Sequence, residues 1–158
     1  MILIVMGVSG SGKSTIGKLL STHFNIPFFD ADDYHPPSNI EKMSQGNPLT
    51  DADRLPWLES LKALLQEQKE GAVLACSALK ESYRKVLETA DSVHWIYLKG
   101  SMELIQSRMR ERNDHFMKSS MLASQFEALE EPNYGHHISI QGTEKEILKS
   151  ILVKLENE

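Results

Sequence analysis

The stretch Gly7-Val8-Ser9-Gly10-Ser11-Gly12-Lys13-Ser14 decides how this chain folds, because its chemistry makes sense only between a strand and a helix. Ahead of it, Ile2-Leu3-Ile4-Val5-Met6 is a short unbroken apolar run, as expected of a buried parallel strand. After it, Ser14 to Leu20 carries apolar residues at helical spacing. The glycines let backbone N–H groups turn inward around phosphate oxygens, and the N-terminus of the following helix adds positive partial charge. Lys13 is then placed to reach β- and γ-phosphates, and the Ser14 hydroxyl to ligate Mg²⁺. The pattern predicts that the chain binds a nucleoside triphosphate.

The rest of the composition bounds what is built around that loop. A chain of 158 residues, 41% of them hydrophobic and with no long polar tract, fits one compact domain over residues 1–158. A net charge of -5 offers no basic field for nucleic acid, so none is expected as a partner. Cys76 is the only cysteine, which rules out an internal disulfide or a thiolate cluster and fits a cytoplasmic protein. The opening apolar run is too short for a membrane span or the apolar part of a secretory signal, so no membrane partner is expected.

Strand and helix signals alternate along the chain, the pattern of an α/β fold with a mostly parallel sheet flanked by helices. Five strands are predicted, at Ile2 to Met6, Pro27 to Phe29, Ala72 to Cys76, Val93 to Leu98 and His137 to Ile140. Helices are predicted at Lys13 to Phe24, Pro56 to Lys69, Lys80 to Glu88, Met102 to Arg112 and Glu144 to Leu155, the last with Thr143 as its cap. Two polar excursions remain, Asp30 to Asp53 and Arg112 to Pro132. Excursions of that length in a compact domain usually carry function.

The first excursion opens with Asp30-Ala31-Asp32-Asp33-Tyr34-His35, directly after the second strand. Ligands of open α/β sheets bind outside the carboxyl ends of the strands, so carboxylates here face the phosphate loop. Asp30 is the candidate for holding Mg²⁺, directly or through water, together with Ser14. Asp32 is the candidate acceptor of a hydrogen bond from the hydroxyl being phosphorylated, and so the candidate general base. For His35 the residues alone leave two readings open, a substrate hydrogen-bond donor or a loop residue beside Pro36-Pro37.

Further along, the chain resembles a known family. Asp32-Asp33-Tyr34-His35-Pro36, Asn39-Ile40-Glu41-Lys42-Met43, Gly46 to Arg54 and Pro56-Trp57-Leu58 are similar to segments of the gluconokinases, small kinases of sugar acids. So are Cys76-Ser77-Ala78-Leu79-Lys80 with Tyr83-Arg84, Arg108 with Arg112, His115-Phe116-Met117 and Ser124-Gln125-Phe126, in the same order and at similar spacing. The phosphate loop alone is shared with many unrelated proteins; the combination is specific, and it extends to about Pro132.

The resemblance implies a P-loop NTPase fold of three layers. It implies a substrate-binding segment at about residues 30–55 and a lid at about 108–132. The implied reaction moves the γ-phosphoryl group of ATP to the 6-hydroxyl of D-gluconate, with Mg²⁺ as cofactor. ATP then contacts Gly7, Val8, Ser9, Gly10, Ser11, Gly12, Lys13, Ser14 and Thr15. Gluconate carries one carboxylate and several hydroxyls, so its pocket needs a cationic anchor plus donors and acceptors. Asp32 and His35 are expected to bind it, with Lys42, Arg54, Lys80 and Arg84 as candidate anchors; Lys80 and Arg84, one helical turn apart, are expected on one face. Arg112 is expected to meet the charge on the transferring group and Arg108 to stack on adenine. Family members are often dimeric, which makes a homodimer an expectation. Where the family commonly has glycine between the two carboxylates, this chain has Ala31.

Other features point away from chemistry. Cys76 has no visible catalytic apparatus and is read as a small apolar residue at a strand end. His136 and His137 lack metal-ligand spacing and are read as structural. Two other functions fit the loop: a different small-molecule kinase on the same fold, and a nucleotide-binding regulator without turnover. The His35-Pro36 and Asp53-Arg54 segments argue against the first. Against the second stand the intact Lys13, Asp30, Asp32 and arginine set and the absence of an Asn-Lys-x-Asp element.

Overall fold

The structure, a computed structural model, describes residues 1–88, 93–111 and 119–158. The elements run β1 (Ile2–Met6), α1 (Lys13–Phe24), β2 (Phe28–Asp30), a 3-10 turn (Ala31–Tyr34), α2 (Pro37–Ser44), α3 (Asp51–Glu67), β3 (Ala72–Ala75), α4 (Glu81–Leu87), β4 (Val93–Lys99), α5 (Met102–Glu111), α6 (Ser119–Ala128), β5 (His136–Ser139) and α7 (Glu144–Glu156). The strands form one parallel sheet in the order β2-β3-β1-β4-β5.

Alternation along β1 divides the core in two. Ile2, Ile4 and Met6 join Trp57, Leu58, Leu61 and Leu65 of α3, while Leu3 and Val5 join Ile16 and Leu20 of α1 with Ile147 and Ile151 of α7. Successive side chains of a strand point to opposite faces, and an unbroken apolar strand is one covered on both. The result is a three-layer α/β sandwich. Across the sheet Asp30 pairs with Ala75 and Ala75 with Val5, so the loops that follow β2, β3 and β1 start side by side. That edge carries the site.

Two helices lie inside the excursions, and one starts earlier than predicted. α2 begins with Pro37 in its first turn, where the missing N–H costs nothing. α3 starts at Asp51, not Pro56, because Thr50 and Asp53 form a capping box: the Asp53 N–H donates to Thr50 Oγ1 at 3.1 Å and the Thr50 N–H to Asp53 Oδ2 at 2.8 Å. Pro56 therefore lies within the helix. A second capping box, Thr143 with Glu146, opens α7.

Candidate active site

Gly12 starts α1 in the left-handed conformation (φ 97°) and no side chain caps that helix, so the first N–H groups stay available to an anion. Lys13 Nζ donates to Val8 O at 3.0 Å, folding its ammonium back over the loop. Ser14 Oγ donates to Asp30 Oδ2 at 3.0 Å, and Asp30 Oδ1 accepts from the Asp32 N–H at 3.0 Å. Asp30 thus caps the 3-10 turn and ties it to the first turn of α1. Ala31 fits this turn without positive φ, its side chain buried.

Charge around the loop is tightly coupled. Burial lowers the Lys13 ammonium from its ordinary range, and the carboxylates of Asp32 and Asp30 oppose that shift. Asp32 keeps solvent-facing surface, but desolvation of its inner side, followed by the Asp30 charge, holds its carboxyl above the usual carboxylate range; Lys13 and His35 pull the other way. Burial lowers His35, with Arg54 adding to the effect and Asp32 opposing it. The charges of Lys13 and His35 therefore both act on Asp32, and that of Arg54 acts on His35.

The substrate segment is built on Trp57. Its Nε1–H donates to Ala31 O at 2.7 Å, and the His35 ring stacks on its face. Buried Asn39 donates from Nδ2 to Asp53 O at 3.0 Å and lies 3.4 Å from His35 Nδ1. The Arg54 guanidinium donates to Leu49 O at 2.7 Å and to the Tyr83 hydroxyl at 3.3 Å, and it lies 5.5 Å from the centre of the Tyr83 ring. Lys80 Nζ lies 5.6 Å from the same centre and 3.3 Å from Asp51 Oδ1, which also accepts from Tyr83 Oη at 2.6 Å. Arg54 and Lys80 thus share one aromatic support. Lys42 is engaged with Asp53 at 2.6 Å, and this bond is the main reason the Asp53 carboxyl is lowered to about 2.

Arg84 departs from the expectation of a substrate anchor. It is 1% exposed, and its guanidinium donates to Ala78 O, Glu130 O, Tyr134 Oη and Glu81 Oε2. The one-turn rule fails because Lys80 is the N-cap of α4, with extended backbone (φ -104°, ψ 145°), so the two side chains diverge. Arg84 instead braces the β3–α4 connection against the segment after α6. The Arg108 guanidinium donates to Gly142 O at 3.1 Å. With Ser11, Gly12, Thr15, Ile16 and Thr143 it lines a cleft of about 350 Å³. Arg112 falls outside the described residues, as do His115, Phe116, Met117 and Lys118.

The remaining groups are structural. Burial raises the Cys76 thiol to about 12, leaving no thiolate to act as nucleophile. His137 Nε2 pairs with Pro132 O at 2.8 Å, and His136 with Glu158. Among the described residues no group of three or more His, Cys, Asp or Glu side chains is arranged to hold a metal ion, and no helix is long and apolar enough to cross a membrane. Trp57, Asn39, Tyr83 and Gln125 carry the site's architecture without having been singled out as site residues. For Trp57 the available signal was an aromatic within a helix that starts beside Arg54.

A family model for shikimate kinase matches residues 9–156. The thermosensitive gluconokinase of Escherichia coli (strain K12) is 49% identical over 133 residues, covering 82% of this chain and 71% of that protein. A probable gluconokinase of Xenopus tropicalis is 44% identical over 152 residues, covering 84% and 80%. The crystal structure of a gluconokinase from Sinorhizobium meliloti 1021 superposes with a TM-score of 0.91 at 42% identity, over 98% of this chain and 91% of that one.

Proposed function

The chain belongs to the gluconokinase family, within the shikimate-kinase-like group of small kinases, and we propose that it transfers the γ-phosphoryl group of ATP to the 6-hydroxyl of D-gluconate, releasing ADP and 6-phospho-D-gluconate. The observation that carries the mechanism is the hydrogen-bond chain from Ser14 through Asp30 to the Asp32 N–H, which ties the turn bearing Asp32 and His35 to the first turn of the phosphate-loop helix.

Phosphoryl transfer leaves the protein mainly positioning and charge stabilisation to supply. Asp32 accepts the hydrogen bond of the attacking hydroxyl and takes its proton as the bond to phosphorus forms. Its raised proton affinity suits that role, because a base works best when its pKa approaches the operating pH. His35, kept neutral by burial and by Arg54, offers an uncharged donor to a gluconate hydroxyl from its Trp57 platform. Arg54 supplies the fork that suits a carboxylate, with Lys80 as a second charge on the same Tyr83 ring. Lys42 stands one step back: through Asp53 it fixes the start of α3, and with it Arg54.

On the nucleotide side Lys13 neutralises charge at the β/γ end, and the cleft beside Arg108 and Thr143 receives the base. Ser14 and Asp30 form a hydroxyl–carboxylate pair of hard oxygen donors, which fits Mg²⁺, an ion that commonly takes one or two protein oxygens and completes its shell with phosphates and water. When bound, the ion neutralises charge on the β- and γ-phosphates. Arg112 keeps the transition-state role that the family resemblance implies. A homodimeric, cytoplasmic enzyme belongs to the same reading.

The test is product analysis. Incubation with Mg-ATP and D-gluconate should yield a phosphate ester whose NMR couplings place the phosphoryl group on the oxygen of C6. A phosphoryl group on another hydroxyl, or ADP formed with the acceptor left unmodified, overturns the reading.

A further inference from the structure

Gln125 reaches from α6 to the phosphate loop, 116 residues earlier in the chain, and grips one residue with both ends of its amide. Its Oε1 accepts from the Ser9 N–H at 2.7 Å, and its Nε2 donates to Ser9 Oγ at 3.0 Å. The orientation of the amide follows from chemistry, since a backbone N–H can only donate. On the other side of Ser9, Val8 O accepts from Lys13 Nζ. The arm of the loop formed by residues 7–9 is therefore held between the ammonium that serves the β/γ end and an amide from a different helix.

That helix is itself anchored. Past its last turn the Glu130 N–H donates to Leu79 O at 2.8 Å, Glu130 Oε1 accepts from the Glu81 N–H at 2.8 Å, and Arg84 donates to Glu130 O at 2.7 Å. The connection to which it is bound touches the loop again, where the Gly7 N–H donates to Ser77 O at 3.3 Å. Gln125 thus works from a braced support, and a grip of this kind sets position. We propose that Gln125 is a positioning residue for phosphoryl transfer, fixing the Ser9 arm so that the loop meets the γ-phosphate in its reactive alignment. The diphosphate is bound by the rest of the loop, from Gly10 onward, and does not depend on this grip. The inference rests on the kinase reading above.

The experiment compares wild type, Gln125→Ala and Gln125→Glu by steady-state kinetics, by ATP and ADP affinity, and by thermal melting. Gln125→Ala should lower kcat about tenfold, as expected when neutral hydrogen bonds are lost from the transition state alone. Its ADP affinity and gluconate KM should stay unchanged. Gln125→Glu retains an acceptor for the Ser9 N–H but brings a negative charge toward the transferring group, and should weaken ATP more than ADP. In a cycle with Ser9→Ala, the Gln125→Ala loss should shrink, because the two residues share the interaction. An unchanged kcat in Gln125→Ala overturns the proposal, as do equal losses of ATP and ADP affinity with a lowered melting temperature. Wild-type protein without gluconate-dependent turnover counts against the functional reading instead, and the ATP-against-ADP comparison still judges Gln125.

Discussion

The His35 imidazole lies flat on the Trp57 indole, with 4.2 Å between ring centroids and 15° between the planes, and the same indole donates its N–H to Ala31 O. One buried side chain therefore fixes both ends of the turn that carries Asp32. The turn has little support of its own, being a single 3-10 turn on the short edge strand β2. Its order is borrowed from α3.

Trp57→Phe tests that dependence, because it keeps an aromatic face and removes the donor. A buried carbonyl left without its partner costs about 1–3 kcal/mol, which urea unfolding will read as a lower midpoint at unchanged slope. Gluconate KM should rise while the ATP KM holds. Equal rises in both would mean that the platform serves the whole domain.

Asp32 sets the acid side of activity. Its carboxyl holds a proton more tightly than an ordinary aspartate, first through desolvation and then through Asp30, so the acid limb of kcat/KM for gluconate should lie above the 3.8 of a free carboxyl. The same shift acts on stability with a definite sign. Between 3.8 and the raised value the native state binds more protons than the unfolded chain, so stability falls as pH rises through that window. Asp32→Asn should therefore abolish turnover, retain ATP binding and melt no lower than wild type at neutral pH. Retained turnover removes Asp32 from the mechanism.

Arg54 and Arg84 should separate by assay. Arg84→Ala leaves the buried Ala78 O and the part-buried Glu130 O without a donor, and a buried acceptor left unpaired costs about 1–3 kcal/mol, so this variant should melt well below wild type. Arg54→Ala, on the half-buried wall of the cleft, should raise gluconate KM with a small loss of melting temperature. If the effects are exchanged, Arg84 is the substrate anchor after all.

Lys13→Met removes the cation at the β/γ end. Loss of a preorganised charge at the transferring group lowers kcat by about a hundredfold or more, and rapid-quench single turnovers will show whether the chemical step is the one slowed. A wild-type rate would sink the assignment of this loop.

Much of this molecule is legible in its residues, and the exceptions have physical causes. The unbroken apolar run of β1 requires cover on both faces, which fixes the three layers before any contact is known. α2 and α6 escape a reading based on apolar periodicity because Ile40, Met43 and Met121 face solvent, so their patterns do not describe a core stripe. The start of α3 is written in Thr50 and Asp53, but Pro56 imitates a first-turn proline. Arg84 reads as a second substrate anchor beside Lys80, but helical spacing does not extend to Lys80, which caps the helix from outside. The Gln125–Ser9 grip joins positions 116 residues apart, and no local pattern announces such a contact.

The most direct measurement is ADP release from Mg-ATP by the purified protein, with D-gluconate set against shikimate, nucleosides, glucose and related aldonic acids. The account predicts turnover that depends on gluconate, with a kcat/KM above that of every other acceptor. Silence with gluconate and turnover with another acceptor would contradict it, leaving a kinase whose cleft around His35, Arg54 and Lys80 serves a different substrate.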